Sequence, residues 1–316
     1  MPCPSISGLS ARPLPPNDVH LEYRATHQPA DSMYTISVIN QKGGVGKTVT
    51  TVNLAAALKK KGYNPLVIDY DPQMNATDWL MGREANKDDD TIFDCLATWD
   101  TAESDRWKLS DIVRMSESIG VRFVPSDPRM AAASFDSVVG RSPVFPKQFR
   151  RRVVELRATQ ISNNSTYKEK ADLDFDYCLV DCPPSLGRSI AAALAGSDGI
   201  IVPVHADRFS MRGVEQLQDT VRKIRSVHND GLKILGLLAN NLDLRSGMVK
   251  DMKEKLGTVY EDVLFETCIL WRSKINEAAT RGDNLMSYGT DSDAAGFYLD
   301  LADEVVKRSR IAAAAA

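Results

Sequence analysis

The chain has 316 residues, 43% of them hydrophobic, and a formal net charge of −3. That length accommodates one large α/β domain or two smaller ones, with enough apolar residues for a sizeable core. The near-neutral balance excludes blanket affinity for nucleic acid or anionic lipid, so any such binding must come from local patches. The five cysteines, Cys3, Cys95, Cys178, Cys182 and Cys268, have no C-x-x-C spacing, and the four histidines have no metal-ligand spacing. Reduced thiols and no zinc site are expected. No apolar run reaches about 18 residues, so no membrane span is expected. The N-terminus lacks the basic-then-apolar order of a secretory signal, and a cytoplasmic location is expected.

Residues 1–32 are rich in Pro, Ser and polar residues without a period, and read as a flexible extension. The domain proper begins at Met33. Residues 36–48, Ile-Ser-Val-Ile-Asn-Gln-Lys-Gly-Gly-Val-Gly-Lys-Thr, predict a buried strand, a glycine-rich loop and the start of a helix. Such a loop lets backbone N–H groups converge on an anion, and the helix N-terminus adds partial positive charge at the same point. Gly43, Gly44 and Gly46 permit sharp bending and close approach to phosphate oxygens, so the phosphate cradle is assigned to Gly43, Gly44, Val45, Gly46, Lys47, Thr48 and Val49. Lys47 is placed to reach the β- and γ-phosphates, and the Thr48 hydroxyl to hold Mg²⁺.

The loop departs from G-x-x-x-x-G-K-[ST] at one end, with Gln41 in the first glycine position and an added cation at Lys42. Lys-Gly-Gly-Val-Gly-Lys-Thr, residues 42–48, resembles the deviant Walker A motif of the ParA/MinD family of dimeric ATPases. The resemblance implies ATP and Mg²⁺ as cofactors and a nucleotide-dependent homodimer. It also implies that Lys42 crosses to the nucleotide of the partner subunit.

A helix is predicted over 48–61, ended by Gly62, with Val52, Leu54, Ala55 and Leu58 available for burial. A second buried strand over 65–70 delivers Asp69 and Asp71 to its C-terminal end, where ligands sit in an open α/β sheet. The string from Val67 to Thr77, with Asp71-Pro72-Gln73, resembles the family's second acidic motif and first switch. By that resemblance Asp71 positions or activates the attacking water and Asp69 supports the Mg²⁺ shell through water. A capping or turn aspartate is the competing reading for both.

Short helical signals follow at 91–96 and 109–115, and a strand at 120–125. Residues 141–157 carry Arg141, Lys147, Arg150, Arg151, Arg152 and Arg157 against Glu155. This run is either a DNA-facing patch or a solvated helix face. Residues 163–170 read as a surface loop. The apolar run ending in Asp181, followed by Cys182-Pro183-Pro184-Ser185-Leu186-Gly187, has the Walker B arrangement, with a carboxylate able to hold Mg²⁺ through water. It resembles the ParA form of this motif.

A buried strand over 199–204, a helix over 212–227 and a strand over 233–240 come next. By resemblance Asn240 is the base-contact candidate. Residues 269–278 resemble the family's C-terminal strand and R-L-x-E-A segment, with Lys274 in the arginine position. A helix over 294–310 closes the domain, and the alanine-rich tail at 311–316 is excluded from it. Apolar strands alternating with helices predict a mostly parallel twisted sheet with helices on both faces, a Rossmann-like P-loop fold over residues 33–310.

The resemblance implies a ParA-type ATPase that moves or positions cargo, binding nonspecific double-stranded DNA as an ATP-dependent sandwich dimer on the nucleoid. A ParB-like partner would stimulate hydrolysis and release. Arg222, Lys223, Arg245, Lys274 and Arg281 are the DNA-contact candidates. A MinD-like membrane cycler, a positioning ATPase for non-DNA cargo and a metabolic enzyme on the same scaffold are the alternatives. The first needs a free apolar face on the C-terminal helix, which carries Phe297, Leu299, Leu301, Val305 and Val306 but also Asp300, Asp303 and Glu304. Asp-Pro-Gln favours ParA over MinD.

Overall fold

A computed structural model of the chain describes residues 33–82, 89–98, 106–131, 145–162, 173–184, 187–205, 211–243, 263–288 and 293–314. The expected extension at 1–32, the loop at 163–170, Arg141 and Arg245 lie outside the described residues.

The elements, in order, are β1 (Tyr34–Val38), α1 (Lys47–Lys60), β2 (Pro65–Asp69), α2 (Asn75–Met81), α3 (Ile92–Ala97), α4 (Leu109–Ile112), β3 (Arg114–Ser116), β4 (Val121–Val124) and α5 (Phe145–Ser162). They continue with β5 (Tyr177–Asp181), α6 (Arg188–Ala195), β6 (Gly199–His205), α7 (Met211–Val227), β7 (Lys233–Leu242), β8 (Leu264–Leu270), α8 (Ser273–Arg281) and α9 (Asp293–Ala314). The described strands form one sheet in the order β3-β4-β2-β5-β1-β6-β7-β8. Pairing is parallel except at the edge, where β3 runs antiparallel to β4.

Both faces of the sheet are covered. On one face Ile68, Val180, Ile200, Val202 and Leu237 meet α5, α6 and α7 through Phe149, Val153, Ile190, Leu217 and Val221. On the other, Ile36, Val38, Val67, Leu179 and Ile201 meet α1, α2, α8 and α9 through Val52, Leu58, Leu80, Ala278, Tyr298 and Leu301. Alternate residues of each strand serve opposite faces, and all of β1, β2 and β5 is buried. Strands buried on both sides read as continuous apolar runs, which is the pattern in the sequence.

Three expectations are corrected. The helix expected over 109–115 stops at Ile112, and Arg114–Ser116 form the edge strand instead. A turn through Gly120, with φ of 72°, lets the chain reverse into β4. The closing helix runs through Ala314, past the expected boundary at 310. The basic run of 141–157 is not wholly on the surface: α5 buries Phe149, Val153 and Leu156, and Arg152 is only 4% exposed. Arg152 donates from Nε and Nη2 to the Cys95 carbonyl at 3.2 and 3.0 Å, and Arg157 donates to Thr35 Oγ1 at 3.0 Å. Arg157 also pairs with Asp198. These two cations tie α5 to α3 and the sheet, and Lys147, Arg150 and Arg151 are left exposed.

The apolar face of α9 is committed to the core through Tyr298, Leu301, Val305 and Val306. That packing removes the free face that membrane cycling by this helix needs. Among the described residues no helix is long and apolar enough to cross a membrane.

Candidate functional site

The C-terminal ends of β1, β2 and β5, which are adjacent in the sheet, converge with the N-terminus of α1. Strand polarity alone brings the loop after β1, both aspartates after β2 and the aspartate of β5 to one edge.

The loop is held from behind. Asn40 donates from Nδ2 to the Pro203 carbonyl at 2.7 Å and accepts from the Lys42 N–H at 3.0 Å. Asn240 is buried and donates from Nδ2 to the Val45 carbonyl at 2.8 Å, while its oxygen accepts from the Asn241 N–H at 2.9 Å. Asn240 thus supports the loop backbone, and both polar ends of its side chain are used within the protein. Gly46 has φ of 84°, and a Cβ there would lie 2.2 Å from Asn240 Nδ2. Both conformation and space require glycine at this position. A Cβ on Gly43 would meet nothing within 4 Å, so its open flank is where a ligand could approach the backbone. Lys42 is exposed and Lys47 is buried.

Thr48 donates from Oγ1 to Asp181 Oδ2 at 2.7 Å, and the Thr51 hydroxyl lies 3.2 Å from Oδ1. Burial pushes the Asp181 carboxyl above its ordinary range, partly offset by Thr48 and reinforced by the charge of Asp71. A hydroxyl beside a buried carboxylate with a raised proton affinity is an oxygen donor set suited to a small hard cation, whose charge would relieve that burial. Thr48 and Asp181 therefore fit Mg²⁺. Among the described residues no cluster of three or more His, Cys, Asp or Glu side chains offers another metal site.

Asp69 has different partners. Its Oδ1 accepts from the Asp71 N–H at 3.0 Å, and its Oδ2 accepts from both the N–H and the hydroxyl of Thr77 at 2.7 Å. Burial, and then the charge of Asp181, raise its pKa. The Thr77 hydroxyl in turn accepts from the Ser126 N–H at 2.8 Å. Asp69 thus acts as a turn and cap carboxylate that fixes the segment carrying Asp71. Asp71 itself is buried and accepts from the Gln73 N–H at 3.0 Å.

A cleft of about 670 Å³ opens between the loop and the start of α2, lined by Gly43, Lys47, Thr48, Asp71, Trp79 and Arg281 among others. Trp79 is fixed there by donating from Nε1 to the Asp283 carbonyl at 2.9 Å. The four described DNA-contact candidates do not share one helix-built patch. Arg222 and Lys223 sit on α7 over one face of the sheet, and Lys274 and Arg281 sit on α8 over the other. Arg222 is paired with Asp219 at 2.7 Å. Arg281 joins the cleft.

Sequence reasoning missed Thr51, Thr77, Asn40 and Trp79. Thr51 had a local signal, because it stands one helical turn after Thr48 and so shares its face. Asn40 had a local partner in the Lys42 N–H, but its bond to Pro203 and the bond from Trp79 to Asp283 join residues distant in the chain.

A family model described as an AAA domain (AAA_31) matches residues 33–234. The chain is 33% identical over 270 residues to the sporulation initiation inhibitor protein Soj of Bacillus subtilis (strain 168), covering 85% of this chain and 97% of Soj. It resembles cobyrinic acid a,c-diamide synthase from Mycobacterium smegmatis, solved with a bound ATP analogue and magnesium. That match has a TM-score of 0.67 and 25% identity over 86% of this chain and 93% of the other. An ATP complex of a McdA variant from Cyanothece matches in fold with a TM-score of 0.66 and 22% identity, over 87% and 96% of the two chains.

Proposed function

We propose that this chain, which belongs to the ParA/MinD family of P-loop ATPases, binds and hydrolyses ATP with Mg²⁺ as a partition or cargo-positioning switch. The observation that carries this reading is the convergence of Lys47, Thr48, Asp181 and Asp71 around the open flank of the glycine loop. When bound, Mg²⁺ supplies charge neutralisation across the phosphates. Thr48 and Asp181 would hold it. Lys47 and the loop amides bind and orient the β- and γ-phosphates. Asp71, fixed by Asp69 through the Asp71 N–H, orients the attacking water and draws on its proton as ATP and water become ADP and phosphate.

Lys42 is exposed on the loop, and in this reading it reaches the nucleotide of a second copy. Its charge then holds the dimer and offsets charge that develops on the transferred phosphoryl group. Dimerisation also aligns basic residues from two copies. Arg222, Lys223, Arg245, Lys274 and Arg281 would contact DNA phosphates without sequence preference, each site weakly and the pair with avidity. DNA binding in the ATP state puts the protein on the nucleoid, and hydrolysis, stimulated by a ParB-like partner, separates the copies and releases the DNA.

The test is binding to a random-sequence duplex at fixed moderate salt without nucleotide, with ADP and with ATP. Binding confined to the ATP state supports the switch. Equal or absent binding in all three states rejects the DNA-bound cycle and leaves a positioning ATPase for another cargo.

A further inference from the structure

Among the described residues of the 141–157 run, three cations remain exposed once Arg152 and Arg157 are absorbed into the fold. Lys147, Arg150 and Arg151 are brought against the end of α7, and with Val154, Val227 and His228 they line a groove of about 470 Å³. Arg150 donates from Nη1 to the His228 carbonyl at 2.7 Å, which fixes its guanidinium at the groove wall. The backbone beneath is fixed as well. A Cβ on Gly196 would lie 2.6 Å from Phe149 Cδ1 and 3.3 Å from Arg150 Cα, so α5 sits directly on the end of α6. Val154 and Val227 are 51% and 68% exposed. Glu155 also lines the groove, and its Oε2 is paired with Arg152 Nη1 at 2.9 Å.

This groove lies where α7 ends and β7 begins, at the sheet edge opposite the phosphate loop. It is a basic wall, with Arg150 held in place, beside two exposed valines. Its charge calls for an anionic occupant, and its apolar pair calls for a side chain to cover it. A nucleic-acid backbone would satisfy the cations and leave both valines in water. A carboxylate-bearing helix or strand with one apolar anchor satisfies both.

We infer that the α5–α7 groove docks an acidic amphipathic segment of a partner protein, with its carboxylates on Lys147, Arg150 and Arg151 and one apolar side chain between Val154 and Val227. The inference does not depend on the nucleotide cycle proposed above.

The test is fluorescence anisotropy with the full chain and three labelled probes: a helical peptide with Leu on one face and Glu on the other, the same peptide with Ser for Leu, and a random-sequence duplex. The Leu/Glu peptide is expected to bind, and the Ser peptide to bind about tenfold more weakly. Lys147→Glu and Val227→Asp, both at exposed positions, should each weaken the Leu/Glu peptide about tenfold or more and leave ATP hydrolysis unchanged. The inference is overturned if the Leu/Glu peptide fails to bind, or if neither substitution weakens it. It is also overturned if Lys147→Glu weakens the duplex alone, which would make the groove a nucleic-acid surface.

Discussion

Thr48 Oγ1 donates to Asp181 Oδ2 across 2.7 Å, joining the first turn of α1 to the end of β5 beside the glycine loop. The two residues stand 133 positions apart in the chain, and this pair is where a cation would be held. Asp181→Asn keeps the size and removes the charge. It should weaken Mg²⁺-dependent ATP binding by about 10- to 100-fold. The ligand-free fold should be no less stable, because a buried carboxylate is expensive to keep. Calorimetric titration of ATP with and without Mg²⁺, with thermal melts of the ligand-free protein, separates the two effects.

Lys47→Ala should reduce ATP affinity by about 1.5–3 kcal/mol, the worth of a charge-assisted hydrogen bond, or roughly 10- to 100-fold. Equilibrium binding of a fluorescent ATP analogue reads this directly. Unchanged affinity would remove Lys47 from the phosphate site.

Asp71→Ala should still bind ATP and still dimerise, while turnover falls by about 10²- to 10⁴-fold. Phosphate release measured beside ATP affinity makes the distinction. Normal turnover in this variant would take away the water-positioning role.

Two glycines of one loop should behave differently. Gly46→Ala meets both a left-handed backbone and Asn240, so it should lower the melting temperature. Gly43→Ala faces open space in the ligand-free fold and should melt like the parent while binding ATP less tightly. Parallel melts and titrations check the contrast. Equal loss of stability in both would contradict the assigned loop geometry.

Thr77→Val removes a hydroxyl that serves Asp69 and the Ser126 N–H at once. The stranded N–H should cost about 1–3 kcal/mol of stability. Loosening of the Asp71 segment should lower turnover more than ATP affinity. Chemical denaturation together with kcat and KM tests this.

The glycine loop, the strands ending in Asp69 and Asp181, and the parallel sheet were legible because each is written in contiguous residues. The basic run at 141–157 was not, since charge density looks alike on a buried and an exposed helix face. Arg152 is claimed by the Cys95 carbonyl, 57 residues away, which nothing local announces. The bond from Asn240 to the Val45 carbonyl spans 195 residues and has no local signal. Asp69 has a local partner in the Asp71 N–H two residues on, but its second partner, Thr77, becomes evident only once α2 is in place. The strand at Arg114–Ser116 is too short to carry a period and depends on pairing with β4.

In the proposed cycle, ATP joins two copies through Lys42. The most direct measurement is light scattering after size exclusion on Asp71→Ala with ATP and Mg²⁺, beside the double variant Lys42→Ala/Asp71→Ala. A dimer is expected for the single variant and a monomer for the double variant, with ATP affinity retained in both. A dimer of equal strength in both would contradict it.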